Sequence, residues 1–210
     1  MERKSIKELR EKLQLLGYRF GDALAMQIAY KTFLNKEIIL GPQHQCADLQ
    51  FVEDITHRLL VTYYSFVYSL FDSSGTDFIK ITEPYASLLP QDAKTIRSEL
   101  IEIWDVNKNS FEKLRHNAGF HGSKKFKGYE LAYTSLADVH PQVAEFIMNH
   151  FKIFFLELDL LFMDQGDKGY NFLLQTKESL FKKSGKIKND LKDQTFNDKM
   201  KAAREKMSKS

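Results

Sequence analysis

The chain is poor in the residues that crosslink small proteins or interrupt helices. Its 210 residues include one cysteine, four prolines and ten glycines. The single Cys46 excludes an intrachain disulfide and is typical of a protein in the reducing cytosol. So few prolines and glycines argue against a turn-rich β-sandwich or barrel. We therefore expect a cytoplasmic protein whose fold does not depend on tight turns.

Long uninterrupted apolar runs are also missing. The N-terminal segment 1–13, MERKSIKELREKL, is charged and helix-forming, and it lacks the apolar core of a signal peptide. The most apolar run, residues 151–163, is interrupted by Lys152, Glu157 and Asp159. A membrane span needs about 20 predominantly apolar residues. The sequence therefore predicts no membrane partner.

Apolar residues are nonetheless abundant, at 43% of the chain with 17 Phe and 9 Tyr. They recur at steps of three or four, which predicts amphipathic helices around a substantial core. The predicted helices cover residues 6–34, 43–71, 91–106, about 109–118, 138–163 and 170–181, with irregular segments at 72–90 and 122–137. The expected fold class is all-α, an up-and-down bundle of four long helices plus one or two short helices.

The charge is distributed unevenly along the chain. Residues 182–210 hold ten Lys/Arg and four Asp/Glu, a net charge of +6, which leaves −3 on residues 1–181. We therefore divide the chain into a helical bundle at 1–181 and a basic, helical or flexible tail at 182–210. Such a tail can contact nucleic acid or an acidic partner. The alternative is a solvated terminal helix that frays at its end.

One short motif carries chemistry. Residues 115–121 read Arg-His-Asn-Ala-Gly-Phe-His, at the predicted end of the helix that carries Phe111 and Leu114. An arginine can neutralise a phosphate, and a histidine can move a proton near neutral pH. Together Arg115 and His121 can therefore cleave RNA without a metal ion.

This motif in an all-helical bundle resembles that of the HEPN superfamily (higher eukaryotes and prokaryotes nucleotide-binding domain). The shared pattern is an arginine, a polar residue directly after it, and a histidine four to six residues on, here Arg115, His116 and His121. The likeness is greatest to small bacterial proteins of the abortive-infection and phage-defence type. The resemblance implies a metal-independent endoribonuclease without a cofactor, acting in bacterial defence or a toxin–antitoxin setting. It also implies a homodimer with two motifs facing each other, and an antitoxin or phage-derived molecule as a possible partner.

The resemblance also assigns roles to the residues. His121 would be the general acid or base at the ribose 2′-hydroxyl or the leaving oxygen, and Arg115 would hold the scissile phosphate. His116 would orient this pair or the substrate, and the product would carry a 2′,3′-cyclic phosphate. The residues themselves add Asn117, which lies one turn before His121 and can hydrogen-bond its imidazole or a phosphate oxygen.

Lysines and aromatic residues follow the motif directly. Lys124, Lys125 and Lys127 are interleaved with Phe126 and Tyr129. Lysines neutralise phosphates and aromatic rings stack on bases, so this segment is a candidate contact for single-stranded RNA. The alternative is a solvated loop whose aromatic rings pack back on the bundle.

Three other interpretations of the chain stay open. An arginine and a histidine near a helix end can simply bind its last carbonyl groups. The chain can also be a catalytically inactive HEPN-like module that binds RNA or a protein. A metal-binding bundle is a third reading, for which the candidate ligands are His44, Cys46, Asp54, His57, Glu99, Glu102 and Glu145. The remaining His140 and His150 are expected to cap or pack.

Overall fold

The computed structural model describes residues 2–35, 49–72, 77–118 and 139–192, with side chains at 4–35, 51–72, 77–116 and 139–192. These residues contain no strand, and the predicted all-α helical bundle is confirmed. The helices are α1 (Glu2–Lys12), α2 (Gln14–Leu34), α3 (Leu49–Ser69), α4 (Phe78–Thr82), α5 (Gln91–Ala118), α6 (Pro141–Leu160) and α7 (Lys168–Lys192). A 3₁₀ helix, Glu83–Leu88, connects α4 to α5.

The centre of the bundle is α6, which is buried on nearly every side. Helices α5 and α7 pack against it, α3 packs against α5, and α2 packs against α3. A helix that is apolar all round is stable only where neighbours cover it. The inward side of α5 is a stripe at helical spacing, formed by Ile96, Leu100, Trp104, Phe111 and Leu114.

Aromatic rings fasten the C-terminal end of α3 to α5 and α6. Phe71 stacks on Trp104 with ring centroids 4.3 Å apart, and its ring meets those of Phe78 and Phe151 edge-on. Each such pair adds about 0.5–1.5 kcal/mol to the burial of its rings. This cluster fixes the position of Asp72, the next residue along the chain.

The loop predicted at 72–90 is wrong from residue 78 to residue 88, where α4 and the 3₁₀ helix lie. Asp77 caps α4, because its carboxylate accepts hydrogen bonds from the backbone N–H groups of Ile79 and Lys80. Phe78 is fully buried. The burial of this one ring favours a short helix in a segment too short to show periodicity.

Other predicted boundaries also need correction. The helix predicted at 6–34 is interrupted at Leu13. Helices predicted separately at 91–106 and 109–118 are one helix, because the buried Trp104 and Phe111 require the same inward face on both sides of Asn109.

The two C-terminal helices also differ from prediction. Helix α6 begins at Pro141 with His140 as its N-cap and ends at Leu160, not Met163. Helix α7 continues to Lys192, eleven residues past the predicted end at 181. The reason is that Ser184 and Ile187 are buried in the bundle. No helix in the described part of the chain is both long and apolar enough to cross a membrane.

Candidate functional site

Arg115 lies in the last turn of α5, beside the C-terminal end of α3. Its Nη1 donates to Oδ2 of Asp72 over 2.5 Å, and its guanidinium carbon lies 4.7 Å from the centroid of the Tyr68 ring. The two charged side chains are 20% and 15% exposed. A planar guanidinium held by a carboxylate and an aromatic ring has little freedom to rotate. Arg115 is therefore a positioned cation with one edge reached by solvent.

The environment of Tyr68 reinforces this arrangement. Burial raises the pKa of the Tyr68 phenol, and the carboxylates of Glu112 and Asp72 raise it further. The phenol therefore stays neutral at physiological pH, and its ring keeps the electron-rich face on which the guanidinium lies.

Neither Tyr68 nor Asp72 was predicted as part of the site. Both come from the end of α3, about 45 residues before Arg115, and only the packing of α3 on α5 brings them to it.

His116 has a different environment from its neighbour Arg115. Its side chain is 58% exposed, and Nε2 lies 3.6 Å from Oε1 of Glu112, one turn earlier on the same helix. Consecutive residues on a helix point about 100° apart. His116 therefore lies on the solvent side of α5, where a substrate can reach it, rather than against the Asp72 pair.

The rest of the predicted site lies beyond what the structure describes. The backbone of Asn117 is in the last turn of α5, but its side chain is outside the described residues. The candidate catalytic His121 is outside them as well, together with the predicted RNA-binding residues Lys124, Lys125, Lys127 and Tyr129. The assignment of these residues stays a prediction.

Two of the four carboxylates considered as metal ligands, Glu99 and Glu145, are engaged with cations of the chain itself. Glu99 binds Nε2 of His150 over 2.8 Å and Nζ of Lys188 over 2.5 Å. Glu145 lies 3.2 Å from Lys31 and 2.6 Å from Lys183. Within the described ranges, no group of three or more His, Cys, Asp or Glu is placed to hold a metal ion; His44 and Cys46 lie outside them.

These contacts set the charge states of both carboxyls. Burial alone would raise the pKa of Glu99, but hydrogen bonds from Lys188 and His150 outweigh it and bring the pKa below its ordinary value. The pKa of Glu145 is likewise lowered, since its two lysines overcome the effect of burial. Both groups are therefore ionised at neutral pH and tie α7 to the rest of the bundle.

The two remaining histidines have the structural roles expected of them. His140 caps α6, because its Nδ1 accepts a hydrogen bond from the backbone N–H of Gln142. His150 is buried, stacks on Phe146 and contacts Glu99. Burial lowers the pKa of His150 against the opposing pull of Glu99. Neither imidazole reaches the Arg115 region through a described contact.

Two of the five basic residues in α7 beyond residue 181 are already neutralised: Lys183 binds Glu145 and Lys188 binds Glu99. The first part of the predicted basic tail thus belongs to the bundle.

Comparisons of the chain with protein-family models, curated proteins and solved structures return no match. A functional site is therefore inferred from the residues themselves. In the described part of the motif, the chemical group best suited to bind a phosphate is the guanidinium of Arg115, which matches a phosphate in shape and charge.

Proposed function

We propose that the chain is a metal-independent endoribonuclease of the HEPN type, acting in bacterial defence or a toxin–antitoxin setting. The observation that carries this proposal is the position of Arg115. It is held by Asp72 and Tyr68, partly exposed, and six residues before His121. A positioned cation together with a proton donor is the minimum that phosphodiester cleavage by acid–base catalysis requires.

The contact with Asp72 leaves room for a phosphate. A guanidinium has five N–H donors, and its described partners Asp72 and Tyr68 do not accept from all of them. Asp72 can therefore fix the plane of Arg115 while its other donors bind two oxygens of a phosphate. In this proposal His121 transfers the proton, His116 and Asn117 contact the substrate, and the lysines at 124, 125 and 127 with Tyr129 bind the RNA strand.

The proposed enzyme acts as a homodimer, in which two motifs form one site. It would leave a 2′,3′-cyclic phosphate, because the ribose 2′-hydroxyl is the attacking group and no water or metal is needed for that step. Its other partner would be an antitoxin or a phage-derived molecule that controls activity.

A second candidate function is a catalytically inactive module that binds RNA or a protein. The ion pair between Arg115 and Asp72 favours it, since a neutralised and partly buried arginine can serve the fold alone. In that case removal of Arg115 lowers stability and leaves ligand binding unchanged.

Incubation of purified protein with total RNA and tRNA in EDTA separates the two candidates. The enzyme cleaves in EDTA, and both His121→Ala and Arg115→Lys reduce cleavage strongly. The lysine keeps the positive charge but cannot form the bidentate hydrogen bonds of a guanidinium. The matched control is Arg97→Lys, since Arg97 is a half-buried arginine on the same helix that pairs with Glu83. Full cleavage by His121→Ala would refute the site, and intact RNA with all variants would favour the binding module.

A further inference from the structure

Helix α2 carries apolar side chains on two opposite sides, and the described residues cover only one of them. Its inner side, with the buried Leu16 and Ala23, packs against α3. Its outer side carries Tyr18 at 75% exposure and Ile28 at 59%. The outer side of α5 differs, because its exposed residues are mostly charged: Glu102, Asp105, Lys108, Glu112 and Lys113. A helix that is apolar all round is normally buried by a further neighbour.

The outer residues of α2 follow a regular spacing of 4-3-4-3-4. We call this row the α2 seam, and its members are Gln14, Tyr18, Gly21, Ala25, Ile28 and Thr32. Five of the six are exposed, Thr32 is half-buried, and none is charged. Arg19 and Asp22 lie beside the seam, not in it. Alternation of steps of three and four gives the 3.5-residue repeat by which two helices pair along their length.

The α2 seam is also a palindrome about residue 23. If a second α2 runs antiparallel across a two-fold axis at that level, Tyr18 lies opposite Ile28 and Gly21 lies opposite Ala25. Gln14 then meets Thr32, so each end of the contact pairs two polar side chains. Large residues cover the flanks of the contact, and the small central pair lets the two backbones approach closely.

The centre of the seam is open in the single chain. A Cβ atom added at Gly21 would meet nothing within 4 Å. Glycine within a helix costs about 0.5–1 kcal/mol relative to alanine, and no contact within the described chain explains this one. We propose that the α2 seam binds a second copy of this chain in antiparallel orientation, as a two-fold symmetric contact.

The extent of this surface sets the expected affinity. From residue 14 to residue 32 the seam spans about 27 Å at 1.5 Å per residue. One helix pair of this length is small among stable protein interfaces, so we expect a dissociation constant on the order of micromolar. The proposal does not rest on the function assigned to Arg115. The α2 seam is a different surface from the one that would bring two Arg115 motifs together, since Arg115 lies where α3 meets α5 and not on the outer side of α2.

Analytical ultracentrifugation of the full chain tests the seam. The wild-type chain should dimerise reversibly, and Ala25→Glu should weaken the dimer at least tenfold because it places a charge at the tightest point. The matched control is Phe172→Glu, which changes a 67% exposed apolar residue on α7 and should leave the association constant within twofold. A wild-type chain that stays monomeric at tens of micromolar would overturn this proposal and the homodimer of the proposed function together. Association that Ala25→Glu weakens no more than Phe172→Glu does would overturn this proposal alone.

Gly21→Leu separates docking from folding. Leucine forms helix better than glycine and meets no atom of its own chain, so the melting temperature of the monomer should rise by about 2–4 °C. The same side chain holds two seams apart, so the dimer should weaken at least tenfold. Weaker association with an unchanged or higher melting temperature supports the proposal. Unchanged association would overturn it, whatever happens to stability.

The orientation can be tested by crosslinking in a Cys46→Ser background, which removes the single cysteine. A mixture of Gly21→Cys chains and Ala25→Cys chains should form a heterodimeric disulfide, because the antiparallel register places these two positions opposite each other. Each variant alone should crosslink several-fold less. Preferential crosslinking of each variant with itself would indicate a parallel pair and contradict the proposal.

Discussion

The two ends of α5 each carry an ion pair, and they differ in what surrounds it. Near the start, Glu99 uses both carboxylate oxygens, one for His150 and one for Lys188. At the end, Asp72 accepts a hydrogen bond from one nitrogen of Arg115, and a face of the guanidinium lies over the Tyr68 ring. The first cluster joins three helices, whereas the second joins the ends of two.

The difference indicates which histidine and which cation can act on a ligand. The side chain of His150 is only 2% exposed, with its two nitrogens directed at Glu99 and at the backbone oxygen of Phe146. Arg115 is 20% exposed, and it has more donors than its described partners Asp72 and Tyr68 accept. Groups with fully used hydrogen bonds stabilise a fold, while a positioned group with unused donors is suited to binding. The Glu99 cluster is therefore a clamp, and Arg115 is the candidate binding group.

The largest expected effect compares the two histidines as proton donors. His121→Ala should reduce RNA cleavage in EDTA by about 10²–10⁴, the usual contribution of a general acid or base. His150→Gln, which can still donate a hydrogen bond to Glu99, should leave the cleavage rate within about twofold of the wild-type rate once folding is equal. Initial rates on a labelled RNA measure both.

Two results would break this part of the comparison. A large loss of cleavage in His150→Gln, with unchanged circular dichroism, would place the clamp in the catalytic machinery. Cleavage that persists in His121→Ala and disappears in Arg97→Lys would show that the rate follows stability rather than the motif.

The next effect compares the two acids as contributors to stability. Glu99→Ala leaves the buried His150 and the half-exposed Lys188 without their shared carboxylate, and should cost about 2 kcal/mol of the free energy of unfolding. Asp72→Ala unpairs a single arginine, which keeps its contact with Tyr68 and some access to water, and should cost less, about 1 kcal/mol. Urea unfolding followed by circular dichroism gives both values. A larger loss for Asp72→Ala would make the Arg115 pair the main structural element of the two.

Sequence periodicity predicted most of the bundle, because burial imposes the same spacing on any amphipathic helix. It failed where one residue decides the outcome. Burial of the Phe78 ring favours a short helix in a segment that was predicted as a loop. Burial of Ile187 extends α7 into the segment that was predicted as a tail. The helix boundary predicted between residues 106 and 109 was also wrong, since the buried Trp104 and Phe111 keep one helix through it.

The candidate site was predictable only in its local part. Arg115 and His116 are close in sequence and lie in the last turn of a helix, as expected. Their environment comes from residues distant in sequence, such as Asp72, and no spacing rule links positions on two helices. The same holds for Glu99, which was considered as a metal ligand and instead binds two cations of its own chain.

A smaller effect concerns pH, and it sharpens the contrast between the clamp and Arg115. The pKa of His150 is lowered from its ordinary 6.5 by burial. At a pH between 6.5 and the lower pKa of His150 in the folded chain, the unfolded chain binds more protons than the folded chain. The free energy of unfolding should therefore fall as the pH falls below about 6.5. The pKa values of Glu99 and Glu145 are lowered from 4.5, so these two carboxyls add a second loss of stability as the pH falls below about 4.5.

His150→Gln tests this assignment, because it removes the titrating group and keeps a donor for Glu99. Melting temperatures from pH 7.5 to 5 should be flatter for the variant than for the wild type. Arg115→Lys should follow the wild-type curve across that range, since an arginine does not titrate there. Parallel curves for His150→Gln and the wild type would assign the pH dependence to another group.

The smallest effect concerns lysines that are engaged and lysines beyond the bundle. Lys183 and Lys188 are bound to carboxylates, so Lys183→Ala should leave the salt dependence of RNA binding unchanged and slightly lower stability. Residues 193–210 carry five further Lys/Arg. If all five contact single-stranded RNA, their deletion should reduce the slope of log K against log salt by up to about 3.5. Filter binding between low and physiological salt measures the slope. No change on deletion would remove this segment from the RNA contact, and a change with Lys183→Ala would mean that RNA competes with Glu145 for the lysine.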